Sequence, residues 1–251
     1  MKSLVVANWK MNPPTWREAK KLFEATRNAA KTTKGVSVVV APPSIFLREL
    51  HAKYKSSRMG FVAQDISVHS DGAVTGGVSL PQVKEAGASY AIIGHSERRQ
   101  RGETNDDTRK KVAAALEANV IPILCVGERE RSISGGHLDF VRNQLRDGFG
   151  EVTTSKLAHV IVAYEPVWAI GGEETMKPRD MHEMAIFIRK TIVSLHGEPA
   201  RTLKIIYGGA ATESNAPEML LHGDVSGLLV GHVSLNPARF EALLENVSKR
   251  T

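Results

Sequence analysis

Eight short apolar segments alternate with helix-like segments along the chain, and this alternation restricts the fold more than any other feature. Each segment is rich in β-branched residues and is apolar at nearly every position: SLVVAN, VSVVVA, FVAQ, SYAIIG, IPILCVG, HVIVAYE, LKIIYGG and GLLVG. Continuously apolar strands are typical of a parallel sheet that is covered on both faces. Helix signals separate them, such as Asn236 as an N-cap before Pro237. The pattern predicts an α/β protein.

The number of strand–helix units in the available length favours closure of the sheet. The chain has 251 residues, and eight-stranded α/β barrels use about 250. We therefore expect a single (β/α)8 barrel domain over residues 1–251. An open doubly wound sheet is the alternative. It usually carries a glycine-rich fingerprint after its first strand, where VVANWKMN stands here, and the chain has no GxxxxGK phosphate loop.

Composition limits the partners and the compartment that we expect. The formal net charge is +6, but the basic residues are scattered among acids, so we expect attraction of small anions and no nucleic-acid partner. The single cysteine, Cys125, excludes an intramolecular disulfide and a cysteine-based zinc cluster. No apolar run approaches the roughly 18 residues of a membrane span, and the N-terminal apolar stretch is too short for a signal peptide. We expect a cytoplasmic protein with no membrane contact, no metal and no cofactor.

Polar residues follow several strands at the end where barrels of this kind place their chemistry. Asn8 and Lys10 follow the first strand, His95 the fourth and Glu165 the sixth, and the seventh and eighth strands end in GGA and GH. We expect a cation, an imidazole, a carboxylate and two glycine turns to meet at the end of the barrel where the strands finish, which we call the mouth.

Each of these residues also has a purely structural explanation. Lys10 could be a solvated lysine, His95 a hydrogen-bonded structural histidine and Glu165 an N-cap or half of an ion pair. A histidine that opens a helical turn stays neutral, because the positive end of the helix dipole disfavours imidazolium. A partly desolvated carboxylate at an apolar rim is suited to abstract a proton. The segment PVWAIGG after Glu165 has the composition of a lid that excludes water.

Four motifs resemble those of the triosephosphate isomerase family, in the same order and at fitting spacing. They are NWKMN at 8–12, GHSERR at 94–99, AYEPVWAIG at 163–171 and YGG at 207–209. The block around Glu165 is highly specific, whereas YGG would be weak alone. The resemblance covers nearly the whole chain. It implies a TIM barrel and a glycolytic and gluconeogenic aldose–ketose isomerase that interconverts dihydroxyacetone phosphate and D-glyceraldehyde 3-phosphate without a cofactor.

The resemblance also implies a role for each site residue. Glu165 would move a proton between adjacent carbons, His95 would polarise the carbonyl, and Lys10 would supply positive charge to the enediolate and phosphate. This family is itself the standard worked example of such a base, a neutral histidine and loop closure, so the roles come with the resemblance. The other substrate-binding groups that it implies are Asn8 and the backbone N–H groups of Gly171, Ala210, Gly231 and His232. Glu97 would be a partner of Lys10, while Cys125 is interpreted as packing.

Several positions depart from the family pattern in ways that affect the phosphate end. Ala210 stands where a serine is usual, His232 replaces the second glycine of a pair, and residues 172–174 replace a Thr-Gly-Lys type of lid tip. Our hypothesis is that lid closure is held less strongly here, with Tyr207 as the remaining clasp.

The segment 65–80 is a long connection without periodicity, which is either mobile or an interface arm. Family members are typically dimers in which this loop enters the neighbour near Lys10, and Thr75 is retained for that contact. Gly77 stands where a glutamate is usual, so Arg98 would lose an intersubunit charge partner. Because the loop has its full length, we still expect a homodimer.

Other functions remain open on the sequence. The same chemistry could act on a four-carbon ketose phosphate, or the barrel could bind a phosphorylated ligand without catalysis. A retaining hydrolase needs two carboxylates about 5 to 5.5 Å apart, and Glu165 has no obvious second carboxylate. A Schiff-base aldolase would need a lysine at the mouth, but Lys204 begins its strand and so lies at the other end.

Overall fold

The computed structural model describes residues 2–55, 59–131, 135–170 and 175–249. In these ranges eight parallel strands pair in chain order and the last pairs with the first, so the sheet closes into a barrel. They are β1 (Ser3–Asn8), β2 (Val36–Ala41), β3 (Gly60–Ala63), β4 (Ala88–Ile93), β5 (Ile121–Val126), β6 (Ile161–Tyr164), β7 (Lys204–Tyr207) and β8 (Gly227–Val230). The predicted TIM barrel and its eight strands are confirmed.

Nine α-helices cover the outside of the barrel within the described ranges. They are α1 (Trp16–Thr32), α2 (Ser44–Lys53), α3 (Leu80–Glu85), α4 (Ser96–Gln100), α5 (Asn105–Glu117), α6 (Gly136–Gly148), α7 (Pro178–His196), α8 (Ala216–His222) and α9 (Pro237–Ser248). Helix α9 begins as predicted, because Asn236 Oδ1 accepts a hydrogen bond from the Arg239 N–H and Pro237 occupies the first turn. None of the described helices combines the length and apolar character needed to cross a membrane.

Two layers of apolar side chains fix the strands, because side chains alternate between the two faces of a sheet. Along β1, Val6 belongs to a small cluster inside the barrel, which also contains Ile123 and Cys125. Its neighbours Val5 and Ala7 belong to the larger cluster between the strands and the surrounding helices. The interior is therefore filled by side chains, and polar chemistry is confined to the ends of the barrel.

Strand register brings the residues that follow β5, β6 and β7 to one rim. Val126 is paired with Tyr164, and Tyr164 with Tyr207. Directly beyond these pairs, the Glu165 N–H donates to the Val126 carbonyl at 2.8 Å and the Gly208 N–H donates to the Tyr164 carbonyl at 2.8 Å. The ladder thus continues one residue past the strands and holds the Glu165 backbone.

Candidate active site

Lys10 lies in a tight turn directly after β1. Its φ of 52° is in the left-handed region that residues other than glycine rarely adopt. The Lys10 N–H donates to Asn8 Oδ1 at 3.0 Å, and Gln64 Nε2 donates to the Lys10 carbonyl at 2.8 Å. These two hydrogen bonds hold a conformation that would otherwise be costly. The buried Asn8 therefore sets the backbone from which the Lys10 side chain extends.

The Lys10 side chain contacts Glu97, as the family resemblance implies. Lys10 Nζ lies 2.6 Å from Glu97 Oε1. Burial opposes ionisation of Glu97, but the hydrogen bond and the charge of Lys10 outweigh it, and the pKa of this carboxyl lies below its usual value. A cation–carboxylate pair therefore stands beside the next site residue, His95.

His95 occupies the N-cap position of α4. Its Nδ1 accepts a hydrogen bond from the Glu97 N–H at 3.2 Å, so this bond assigns the ring proton to Nε2. An imidazole that accepts from the first turn of a helix is held as the neutral ring, because imidazolium has no acceptor nitrogen. Its Nε2 faces the Glu165 carboxylate.

Glu165 is buried at the end of β6, with 2% of its surface exposed. Its Oε2 accepts a hydrogen bond from the Ser96 N–H at 2.8 Å. Its Oε1 lies 3.1 Å from His95 Nε2, yet no described donor makes an aligned hydrogen bond to that oxygen. The distance alone is that of an ion pair, but the ring N–H does not point along it. One carboxylate oxygen is therefore anchored and the other is free to accept.

Glycine is required where the rim closes around Glu165. A Cβ on Gly127 would lie 1.7 Å from the Glu165 carbonyl oxygen, and one on Gly208 would lie 2.9 Å from Glu165 Cγ. No Cβ fits at the first of these distances, so the neighbouring loops approach Glu165 as closely as they do only because both residues are glycine.

The predicted phosphate-binding groups lie at the ends of β7 and β8. The backbone N–H groups of Ala210, Gly231 and His232 donate to no acceptor within the described residues. His232 begins a 3-10 turn, His232–Leu235, whose first N–H groups have no partner inside the turn. Ser234 Oγ donates to the Gly231 carbonyl at 2.6 Å and so fixes this turn. Unpaired N–H groups with this origin suit an anion.

Gly231 also joins the phosphate end to the Lys10 turn. A Cβ on Gly231 would lie 3.3 Å from Lys10 Cε, so the glycine backbone and the lysine side chain are in near contact. The structure thus brings together Asn8, Lys10, His95, Glu165, Gly231 and His232, with Ala210 at the end of the neighbouring strand. Gly171 and the lid tip at 172–174 lie outside the described residues.

Glu128 is a buried site-adjacent carboxylate that the sequence reasoning missed. It accepts hydrogen bonds from the Tyr164 hydroxyl at 2.8 Å and from Trp168 Nε1 at 2.8 Å. Burial and the Glu128 charge raise the pKa of the Tyr164 phenol, which stays a donor. Glu128 thereby ties the segment after Glu165 to the end of β5. The strand-end rule could have found it, because Glu128 follows β5 in CVGE.

Tyr207 and Cys125 are two further buried polar groups near the site. The Tyr207 hydroxyl has no hydrogen-bond partner in the part of the chain that the structure describes. Burial raises the pKa of Tyr207 to about 12. The Cys125 thiol lies inside the barrel, where burial and then the Glu165 charge raise its pKa. Among the described residues, no three His, Cys, Asp or Glu side chains are grouped to hold a metal ion.

Comparison with known proteins identifies relatives over almost the full length of the chain. The family profile described as triosephosphate isomerase matches residues 3–247. A triosephosphate isomerase of Endomicrobium trichonymphae is 36% identical over 249 residues, which cover 97% of this chain and 98% of the relative. One of Moorella thermoacetica is 39% identical over 243 residues, covering 96% and 97%. The crystal structure of the triosephosphate isomerase from Bartonella henselae superposes with a TM-score of 0.86 at 30% identity, over 98% of this chain and 99% of that one.

Proposed function

The chain belongs to the triosephosphate isomerase family, and from this premise we propose that Lys10, His95 and Glu165 carry out its reaction. The enzyme is an aldose–ketose isomerase that interconverts dihydroxyacetone phosphate and D-glyceraldehyde 3-phosphate. Relatives with this name give no support to a four-carbon substrate or to a barrel without catalysis. The role proposed for each residue comes from the family resemblance, and the geometry of the mouth supports it.

Glu165 acts as the general base. Its free oxygen Oε1 accepts a proton from one carbon of the substrate and returns it to the adjacent carbon, so one carboxylate serves both directions. Burial at 2% exposure removes competing water from this oxygen. The Ser96 N–H at 2.8 Å from Oε2 sets the starting orientation of the carboxylate. The observation that carries the proposal is this anchored, buried carboxylate facing His95.

His95 and Lys10 stabilise the negative charge that develops on the substrate oxygens. A neutral imidazole with its proton on Nε2 donates to the carbonyl oxygen and exchanges protons between the two oxygens of the enediol. The Lys10 amine supplies a fixed positive charge, and Glu97 at 2.6 Å holds it in place. Fixed donors in a buried site cost no reorganisation when the charge forms.

The phosphate is held by backbone N–H groups of Ala210, Gly231 and His232, with Asn8 supporting the Lys10 turn. The support for this part is that these N–H groups have no acceptor within the described residues. We assign the N–H of Gly171 to the same phosphate on the family resemblance alone. Tyr207, whose hydroxyl is buried and has no partner in the described ranges, serves as the clasp for the closed lid.

A coupled assay on glyceraldehyde 3-phosphate tests the assignment of the base. We expect isomerase activity in the unaltered protein and a fall in kcat of about 10² to 10⁴ in the Glu165→Gln variant, which is the usual contribution of a general base. The variant keeps the shape and the contact with Ser96. A Glu165→Gln protein that retains most of its activity would refute this role.

We further propose that two copies associate through the 65–80 loop, with Thr75 entering the neighbour near Lys10. Three apolar side chains in segments that follow β1, β2 and β3 are exposed in the single chain, namely Met11 at 91%, Ile45 at 75% and Val74 at 41%. In the proposed dimer the second copy would cover these side chains and join them into the kind of contiguous apolar surface that marks an interface. Sedimentation at micromolar concentration should give a dimer, and monomer alone would contradict the proposal.

The chain is proposed to act as one barrel domain over residues 1–251 in the cytoplasm. The support for a single domain is that the closed barrel uses strands from Ser3 to Val230 and the family match runs from 3 to 247. Limited proteolysis that released a separately folded fragment would contradict it.

A further inference from the structure

The end of β3 contributes no reacting group, yet the two residues that follow it bind the Lys10 turn and the short helix α4. Gln64 Nε2 donates to the Lys10 carbonyl and to the Ala41 carbonyl, each at 2.8 Å. Asp65 Oδ2 lies 2.6 Å from Arg98 Nη2, and Asp65 Oδ1 lies 2.7 Å from Lys111 Nζ. One residue therefore reaches the Lys10 turn and the next reaches α4 and α5.

Asp65 is anchored by its ion pair with the buried Lys111. Only 6% of the Lys111 side chain is exposed, and its amine lies between Asp65 and Glu103, whose oxygen is 2.5 Å away. The Glu103 side chain is 3% exposed. An amine that makes charge-assisted hydrogen bonds to two carboxylates holds both of them in place, because such bonds are about twice as strong as neutral ones.

Helix α4 carries much of the proposed site on a very short element. It has five residues, Ser96–Gln100, and three consecutive residues, His95, Ser96 and Glu97, supply the imidazole, the N–H that anchors Glu165 and the partner of Lys10. So short a helix has few internal hydrogen bonds, and its orientation depends on side chains that tie it to the barrel.

The two adjacent arginines of α4, Arg98 and Arg99, contact the ends of different strands. Arg99 Nε donates to the Gly94 carbonyl at 2.7 Å and Arg99 Nη2 to the Cys125 carbonyl at 3.3 Å, which fixes α4 against the ends of β4 and β5. Arg98 pairs with Asp65 and fixes α4 against the end of β3. Gly77 leaves Arg98 without the loop carboxylate that is usual in the family, and Asp65 supplies a charge partner from the same chain.

We propose that Asp65 is a positioning residue, which fixes the helix of His95 through Arg98 and Lys111 while Gln64 fixes the Lys10 turn from the same strand end. Asp65 does not touch the substrate. It sets the separation between the Lys10 amine and the His95 ring, both of which must meet one small substrate. This inference rests on the proposed catalytic roles of those two residues.

The first test is the Asp65→Asn variant, which keeps the shape and removes the charge. We expect kcat for isomerisation to fall about three- to tenfold, because small displacements of catalytic groups are costly. The inhibition constant for inorganic phosphate, which binds at the other end of the mouth, should stay within about twofold. Unchanged kcat, or an equal loss in phosphate binding, would overturn the proposal.

Asp224→Asn is the matched control. Asp224 Oδ2 lies 3.3 Å from Arg189 Nη2 at the opposite end of the barrel, and its φ of 52° suits asparagine. The same chemical change there should leave kcat unaltered, and a comparable loss would show that removing any such carboxylate lowers activity, which would overturn the assignment to Asp65.

A double-variant cycle with Arg98→Gln shows whether Asp65 acts through α4. Arg98→Gln leaves the contacts of Lys111 with Asp65 and Glu103 in place. It should therefore disturb the protein less than a substitution of Lys111 itself. In that background Asp65→Asn should lose at least half of its effect on log kcat, whereas full additivity would refute the route through Arg98.

Two further measurements are needed. Assays at several protein concentrations show whether Asp65 acts on the position of α4 or on subunit association. The activity of the unaltered protein shows whether a failure concerns this proposal or the proposed function. The loss of kcat should persist over a hundredfold range of concentration, and a loss that disappears at high concentration would show that Asp65 acts on subunit association instead. If the unaltered protein lacks isomerase activity, the proposed function fails; if it is active and Asp65→Asn equals it, only the positioning role fails.

Discussion

On the side of the mouth formed by β1, β4 and β6, polar side chains are held by hydrogen bonds and an ion pair, and two of them, His95 and Glu165, are buried. On the side formed by β7 and β8, backbone N–H groups have no described partner. Lys10 contacts Glu97, His95 accepts from the Glu97 N–H, and Glu165 accepts from the Ser96 N–H. On the other side, Ala210 and Gly231 present bare N–H groups.

The difference separates two tasks within one site. Proton transfer requires fixed side chains, because general bases and electrophiles act only at hydrogen-bond distance. Phosphate binding requires donors that are unpaired until the ligand arrives, and backbone N–H groups at the start of a turn provide them. Changes on the first side should therefore lower kcat, and changes on the second side should mainly alter binding and lid closure.

The largest effect among these further tests is expected for Lys10→Met. Loss of the only charged donor in the proposed set should lower kcat/KM about 10²- to 10³-fold, which is the usual cost of removing one transition-state donor. Lys110→Met, which removes an exposed partner of Asp106 at 2.7 Å, is the control and should leave kcat/KM unchanged. Near-normal turnover of the Lys10→Met variant would show that the two sides do not divide the tasks as described.

A smaller loss is expected for Gly127→Ala, which tests how tightly the first side is packed. The new Cβ would lie 1.7 Å from the Glu165 carbonyl oxygen, so the backbone of the base must move. We expect kcat to fall about 10- to 100-fold, together with a lower melting temperature. The control is Gly150→Ala, where the nearest atom would be 3.3 Å away. Equal activity of the two variants would mean that this rim tolerates displacement.

On the second side, Ala210→Ser is expected to raise catalytic efficiency, in contrast to the losses expected for the two variants of the first side. A hydroxyl at this position adds one hydrogen bond to the phosphate or the closed lid, worth about 1 kcal/mol. The specificity constant kcat/KM should then rise several-fold, with the larger change in KM. An unchanged or lower kcat/KM would contradict the hypothesis that the closed lid is weakly held in this protein.

The smallest expected signal comes from Cys125, which lies beneath Glu165 inside the barrel. Burial raises the pKa of the thiol, so the thiolate, the form that reacts with alkylating agents, is suppressed at any given pH. The native protein should remain unmodified by a maleimide from about pH 6 to 9 and should react once unfolded. Modification that increases with pH in the native state would show that solvent reaches the barrel interior beneath Glu165.

The strands and the first side of the site were predictable because both are encoded locally. Each strand is a continuous apolar run, and Lys10, His95 and Glu165 each follow such a run at the end where barrel chemistry occurs. The pairing of Asp65 with Lys111 could not be predicted, because it joins residues 46 positions apart. Nor does the sequence show that Arg98 and Arg99, although adjacent, bind different strand ends. Such contacts depend on how α4 lies across the barrel.

The most direct test of the account is the isomerisation of dihydroxyacetone phosphate in D2O, followed by NMR of the product. A carboxylate that carries the abstracted proton can exchange it with solvent, so a measurable fraction of the glyceraldehyde 3-phosphate should carry deuterium at C2. The Glu165→Gln variant should lose both product and label. Product formed equally well by the Glu165→Gln variant, with or without the label, would contradict proton transfer by Glu165.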